Sequence, residues 1–193
     1  MGRIRLRRLL AVVLLVAGTY SVPAQNLSDR IAACLSCHGD DGQSYIVGTP
    51  SLAAEPALFV MIQLYLFREK QRQVEPMTQA SQRLSDDDLR SLSDMIAKLP
   101  PPKPPEEPVD AARIERAWSL VRKHHCLFCH NSDFSGHENV PRLAGQREDY
   151  LLKALRDFKS NTRPGYDASM AEVVQPISDA ELADLAYLMA RAR

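Results

Sequence analysis

Apolar positions recur at helical spacing in matching places in the two halves of the chain. Leu89, Leu92 and Ile96 fall on one face, and so do Leu182, Leu185 and Met189. Both stretches open with Ser-x-x-acid, from Ser85 to Asp88 and from Ser178 to Glu181. In that capping box a serine and an acid satisfy the free N–H groups of a first turn. Ahead of them the pattern predicts middle helices near Ala57 to Lys70 and near Arg147 to Lys159. Opening helices are predicted from Ser28 to Ala33 and from Ala111 to Lys123. Strand-like runs of Val, Ile or Thr are few, so the expected fold class is all-α.

One apolar run stands outside this series. Arg3, Arg5, Arg7 and Arg8 precede a run from Leu9 to Ala17, and Val22-Pro23-Ala24 places small residues where a signal peptidase inspects them. This layout predicts a secretory signal peptide over residues 1–24, cleaved after Ala24. The run is shorter than the roughly 20 residues of a spanning helix. Export to a bacterial periplasm is therefore expected. The whole chain carries 24 basic and 24 acidic residues, and losing four Arg with the segment leaves a mature net charge of −4. A mildly acidic chain is poorly suited to nucleic acid. With no further long apolar run, the mature form is expected to be soluble.

The segment Pro100-Pro101-Pro102-Lys103-Pro104-Pro105-Glu106-Glu107-Pro108 cannot continue a helix, because proline fixes φ and lacks an N–H. It reads as a polyproline II spacer over 100–108 between a first domain, 25–99, and a second, 109–193. The two domains repeat one another. Cys34-Leu35-Ser36-Cys37-His38 answers to Cys126-Leu127-Phe128-Cys129-His130, and Pro50-Ser51-Leu52-Ala53 to Pro141-Arg142-Leu143-Ala144. Met77 answers to Met170, and Ser85 to Ser178, with all offsets between 91 and 93 residues. A register that drifts so little points to internal duplication.

All four cysteines lie in the two Cys-x-x-Cys-His motifs, the signature of covalent haem attachment. Two thiols three positions apart add to the two vinyl groups of one porphyrin, and the following histidine, His38 or His130, reaches the iron. Three other readings compete. A disulfide framework gives no reason for a histidine after each pair. A four-cysteine zinc site needs closer pairs than Cys37 and Cys126, which have 88 residues between them. A thioredoxin-like redox pair belongs to a βαβ pattern that is missing. The expected cofactors are thus two haem c groups. Met77 lies 39 residues after His38 and Met170 lies 40 after His130, each eight residues before its capped closing helix. They are the candidates for the opposite axial position, where thioether sulfur raises the potential. Met61, Met95 and Met189 sit within amphipathic stretches and read as core. His124 and His125 are expected on the opening helix and His137 in a loop, none of them on iron.

These residues resemble the class I cytochromes c, and within them the dihaem cytochrome c4 family, over nearly the whole mature chain. Cys37-His38-Gly39-Asp40-Asp41-Gly42 is similar to the family's first motif, and Pro141-Arg142-Leu143-Ala144-Gly145-Gln146 with Tyr150-Leu151 and Phe158 to its second. The resemblance implies two tandem all-α cytochrome domains. In these the carbonyls of Pro50 and Pro141 would accept from His38 and His130, and Arg72 and Arg163 would be candidates to meet haem propionates. It also implies a carrier of single electrons between respiratory partners, with no bond chemistry of its own. A quinol-oxidising complex would stand upstream and a terminal oxidase downstream, and the carrier would dock on membrane complexes. Two alternatives stay open at this point. One is the electron-transfer subunit of a dehydrogenase, such as a flavocytochrome sulfide dehydrogenase. The other is a dihaem peroxidase, which needs an open iron and a longer chain. The first half departs from the pattern, with Ala54-Glu55 against Gly145-Gln146 and Asp94 against Tyr187, which marks it as the more divergent half.

Overall fold

The computed structural model describes residues 26–163 and 168–193, so the segment expected to be a signal peptide lies outside the described residues. No helix among the described residues is long and apolar enough to cross a membrane. The secondary structure is helical, with a lone bridge between His137 and Val140 as the one β-type pairing among the described residues. The first half holds α1 (Leu27–His38), α2 (Ala57–Arg68), α3 (Met77–Ser81) and α4 (Asp86–Ala97). The second holds α5 (Ala111–Lys123), α6 (Leu127–His130), α7 (Glu148–Lys159), α8 (Ser169–Val174) and α9 (Asp179–Arg191).

Both capping boxes form. The Ser85 side chain accepts from the Asp88 N–H at 3.1 Å while Asp88 accepts from the Ser85 N–H at 2.8 Å, and Ser178 and Glu181 do the same. These bonds hold the Asp88 and Glu181 carboxyls below their ordinary range. Replacing Ser178 with alanine is expected to destabilise the second half by about 1 kcal/mol. Chemical denaturation of the haem-loaded protein would register this as a lower midpoint with an unchanged slope.

The middle helices stop where backbone conformation stops them. Lys70 and Asn161, equivalent positions, both take φ near +56°, a left-handed residue just past the end of α2 and α7. The pattern predicted α2 to Lys70; it ends at Arg68 for this reason. Of the opening helices the second keeps its expected bounds, and the two differ in how they meet their cysteines. In the first half α1 runs unbroken through both cysteines to His38. In the second, α5 ends at Lys123, His125 turns to φ 55°, and a separate short helix carries Cys129 and His130. His124 and His125 therefore lie past the helix end rather than on it.

Each half buries its own apolar cluster. Ile31, Val60, Leu64, Leu89, Leu92 and Ile96 form the first, where α2 packs on α4. The second is larger. It brings Leu120, Val121, Phe134, Leu151, Leu155, Ile177, Leu182 and Leu185 together where α5 and α7 pack on α9. Tyr187 adds an anchor that Asp94 cannot supply. Its hydroxyl accepts from the Asp110 N–H at 2.7 Å, and Arg113 and Arg191 lie over its ring at 4.0 and 3.6 Å.

The halves meet along a polar seam. The Phe59 N–H donates to the Glu138 carbonyl at 2.9 Å, the Gly48 N–H to Asp149 at 2.6 Å, and Arg147 to the Ser44 carbonyl at 3.2 Å. The proline-rich segment lies along both partners. Lys103 exchanges two backbone bonds with the Gln43 side chain, at 2.9 and 3.1 Å. Pro102 is buried, and a Cβ at Gly145 would stand 2.6 Å from its carbonyl oxygen. Gly145 and its counterpart Ala54 share the left-handed conformation, at φ 72° and 54°. Glycine is required only where the linker presses on the backbone.

Candidate functional site

The repeat delivers one constellation twice. The four cysteines are free thiols, Cys37 and Cys129 exposed and Cys34 and Cys126 half-buried. Burial holds the Cys34 and Cys126 thiols above the ordinary range. Directly behind each pair a histidine is buried: His38 is 4% exposed and His130 5%. The Nδ1 of His38 donates to the Pro50 carbonyl at 2.7 Å, and that of His130 to the Pro141 carbonyl at 3.1 Å. A carbonyl can only accept, so each ring carries its proton on Nδ1 and leaves the Nε2 lone pair for a metal. Burial also lowers the affinity of both rings for a second proton, though the carbonyl bonds oppose this. At neutral pH both imidazoles are uncharged and ready to ligate.

Met77 is the first residue of α3 and Met170 the second of α8, short helices that the periodicity did not reveal. Both methionines are half-buried against the cluster of their own half. Met189, by contrast, is 3% exposed inside the core, and Met61 and Met95 pack beside the first cluster, as their helical spacing predicted.

Arg72 and Arg163 occupy matching places. Arg72 lies over the Phe67 ring at 4.6 Å and Arg163 over the equivalent Phe158 ring at 4.9 Å. Arg72 also donates to Gln63 at 2.6 Å, and Arg163 to the Tyr150 hydroxyl at 3.2 Å. The two guanidiniums influence one another across the seam: burial first, then the charge of Arg163, lowers the affinity of Arg72 for its proton. Burial alone would raise the Tyr150 phenol, yet the two arginines bring it below its ordinary value. A half-buried pair of like charges is a site matched to anions, and a porphyrin carries two carboxylates. With soft sulfur and imidazole donors as well, these residues fit a haem in each half.

Two residues of the seam stood out in the sequence only as a mismatch between the halves, with no role attached. Glu55 is 5% exposed and Gln146 4% exposed, and each reaches into the opposite half. Glu55 Oε2 accepts from the Arg142 N–H at 3.0 Å. Gln146 Oε1 accepts from the Ser51 N–H at 2.8 Å, and its amide donates to the Ser51 carbonyl at 2.8 Å. Their common signal was a polar residue three places after each Pro-x-Leu-Ala motif begins its last pair, at positions 91 apart.

No protein-family model matches the chain. Among curated proteins, it is 31% identical over 173 residues to a thiosulfate dehydrogenase electron acceptor of Thiomonas intermedia, covering 84% of this chain and 80% of that one. It is 28% identical to cytochrome c4 of Pseudomonas aeruginosa, over 80% of this chain and 81% of that one. Among solved structures, reduced recombinant cytochrome c4 from Pseudomonas stutzeri superposes with a TM-score of 0.78 at 24% identity. That match spans 88% of this chain and all of the other, and it identifies the fold.

Proposed function

This chain belongs to the dihaem class I cytochrome c4 family, whose members carry electrons rather than catalyse reactions, and on that premise we propose the residues and partners through which it does so. One haem c is tethered by Cys34 and Cys37 with His38 and Met77 on its iron. The other is tethered by Cys126 and Cys129 with His130 and Met170. The observation that carries this reading is the pair of buried histidines, each with Nδ1 committed to a proline carbonyl and Nε2 free.

Each bound haem supplies an iron that gains and loses one electron. The chain's residues do the rest. The Pro50 and Pro141 carbonyls fix the plane of each imidazole and raise its basicity. Met77 and Met170 would supply thioether sulfur that favours the reduced state, and a site ligated by both histidine and methionine would offer no place for a substrate. Arg72 and Arg163 neutralise propionates at the seam, where burial would otherwise oppose their charge.

Residues 1–24 export the chain to the periplasm, residues 100–108 join two cytochrome domains, and the mature protein passes electrons towards a terminal oxidase. The Thiomonas relative favours a dehydrogenase as donor over a quinol-oxidising complex, and a thiosulfate-oxidising enzyme is the specific candidate. A haem count on the matured protein, with spectra in both redox states, tests the site. Two haems per chain and a full-strength long-wavelength ferric band of methionine-ligated iron are expected. One haem, or a high-spin ferric signal, would overturn the assignment. Rapid reduction by a thiosulfate dehydrogenase and thiosulfate, but not by the enzyme alone, tests the donor.

A further inference from the structure

The seam bonds acquire a meaning when the peptide groups are followed one by one. The Pro141 carbonyl and the Arg142 N–H belong to the same peptide unit. His130 donates to its oxygen at 3.1 Å, and Glu55 accepts from its nitrogen at 3.0 Å. The Pro50 carbonyl and the Ser51 N–H likewise form one peptide. His38 donates to its oxygen at 2.7 Å, and Gln146 accepts from its nitrogen at 2.8 Å. Each half therefore extends one side chain to the far end of the peptide that holds the other half's histidine. An amide that donates more strongly at nitrogen accepts more strongly at oxygen, because the same electron shift serves both.

Resting on the two-haem carrier reading above, we propose that Glu55 and Gln146 are positioning residues for the opposite half's iron. Each acts through the shared peptide, and carboxylate against amide makes the two irons unequal. The difference between the halves is chemical and local. An ionised carboxylate is about twice as strong an acceptor as a neutral group. It polarises the Pro141–Arg142 peptide, strengthens the His130 Nδ1–H bond and gives that imidazole more anionic character. This stabilises the ferric state of the second-half iron. Gln146 exerts only the weaker pull of an amide on the first-half iron.

The ionisation of Glu55 is set at the same place. Burial pushes its carboxyl up to about 8, against the Arg142 N–H bond, the charges of Arg142 and Arg163, and a bond from Gln146. The charged groups facing it are Arg142 from the loop before α7 and Arg163 from the segment after that helix. Below that pH the proton is held and the pull relaxes. Above it the carboxylate forms and favours ferric iron. The potential of the second-half iron should accordingly fall as pH rises through this window, while that of the first-half iron stays level.

The experiment is a redox titration of the haem-loaded protein over a pH range that brackets the Glu55 value of about 8. Paramagnetically shifted NMR signals of each ligating methionine assign each potential to its half. In the native protein only the second-half potential is expected to move with pH. Glu55→Gln should remove that dependence and shift electron exchange towards the second iron, by about tenfold above pH 8, the low end of what outer partners contribute to metal ligation. Gln146→Glu should shift the first-half potential downward and give it a new pH dependence. A merely structural role would move stability or both potentials together. The proposal is overturned if the second-half potential is level with pH in the native protein, or if each variant moves only its own half. Should Glu55→Gln fail to fold, the native titration and Gln146→Glu decide alone. Failure of the two-haem reading would appear earlier, in the haem count.

Discussion

Met170→Ala should retain both haems yet lose half of the long-wavelength ferric band, and the potential of the second-half iron should drop by a few tenths of a volt. The size follows from the range of about 0.8 V over which axial ligands set haem potentials. The direction follows from replacing thioether sulfur, which favours ferrous iron, with water or a stray nitrogen. Met170 lies half-buried on a short helix against the second cluster, so truncation opens space beside the iron rather than collapsing the core. Met77→Ala should do the same to the first half alone. The comparison discriminates among methionines: Met61→Ala or Met95→Ala should reduce stability by a few kcal/mol at most and leave the band intact. A full band in Met170→Ala would remove it as ligand.

The second large effect concerns folding. A chain whose four cysteines are replaced by serine, and which therefore holds no tethered haem, should lose most of its helical circular dichroism. Halves of this size bury too little apolar surface to stand alone. The two halves should not fail equally. Among the described residues the first cluster has six buried members and the second fifteen, so the first half leans harder on its haem. Cys34→Ser/Cys37→Ser should therefore melt α1 to α4 in a broad transition at low temperature. Cys126→Ser/Cys129→Ser should leave more of α5, α7 and α9 in place, since those helices pack directly on one another. Equal losses in the two double variants would show that cluster size does not govern the dependence.

Much of this was legible in the chain before any coordinates. The motif pairs, the repeat offset and the capping boxes are local signals, and they place the cysteines, the histidines and the closing helices. The proline carbonyls and the paired arginines followed from resemblance; the geometry puts each proline carbonyl beside its histidine, and it stacks Arg72 and Arg163 on equivalent phenylalanines. What stayed hidden was non-local. Glu55 and Gln146 stood out as a mismatch between halves, but nothing in one chain says that a side chain reaches a peptide 87 or 95 residues away. The break at His125 was hidden for a different reason. The helix end at Lys123 was legible, but left-handed backbone is open to several residue types, histidine among them, so no residue marked His125 as the turn that sets Cys129 and His130 on a separate short helix.

The proline-rich segment, expected as a spacer, has a consequence for the thermodynamics of joining the halves. Held at Lys103 by Gln43 and at Pro102 against Gly145, it has little slack to lose. A flexible tether of glycine and serine would surrender conformational freedom at every residue when the halves docked. Proline surrendered most of that freedom when the peptide bond was made, since its ring already confines φ in the unfolded chain. Docking is thus opposed by a smaller entropy loss, and a seam made of a handful of hydrogen bonds can suffice to keep two electron-carrying centres at one fixed separation.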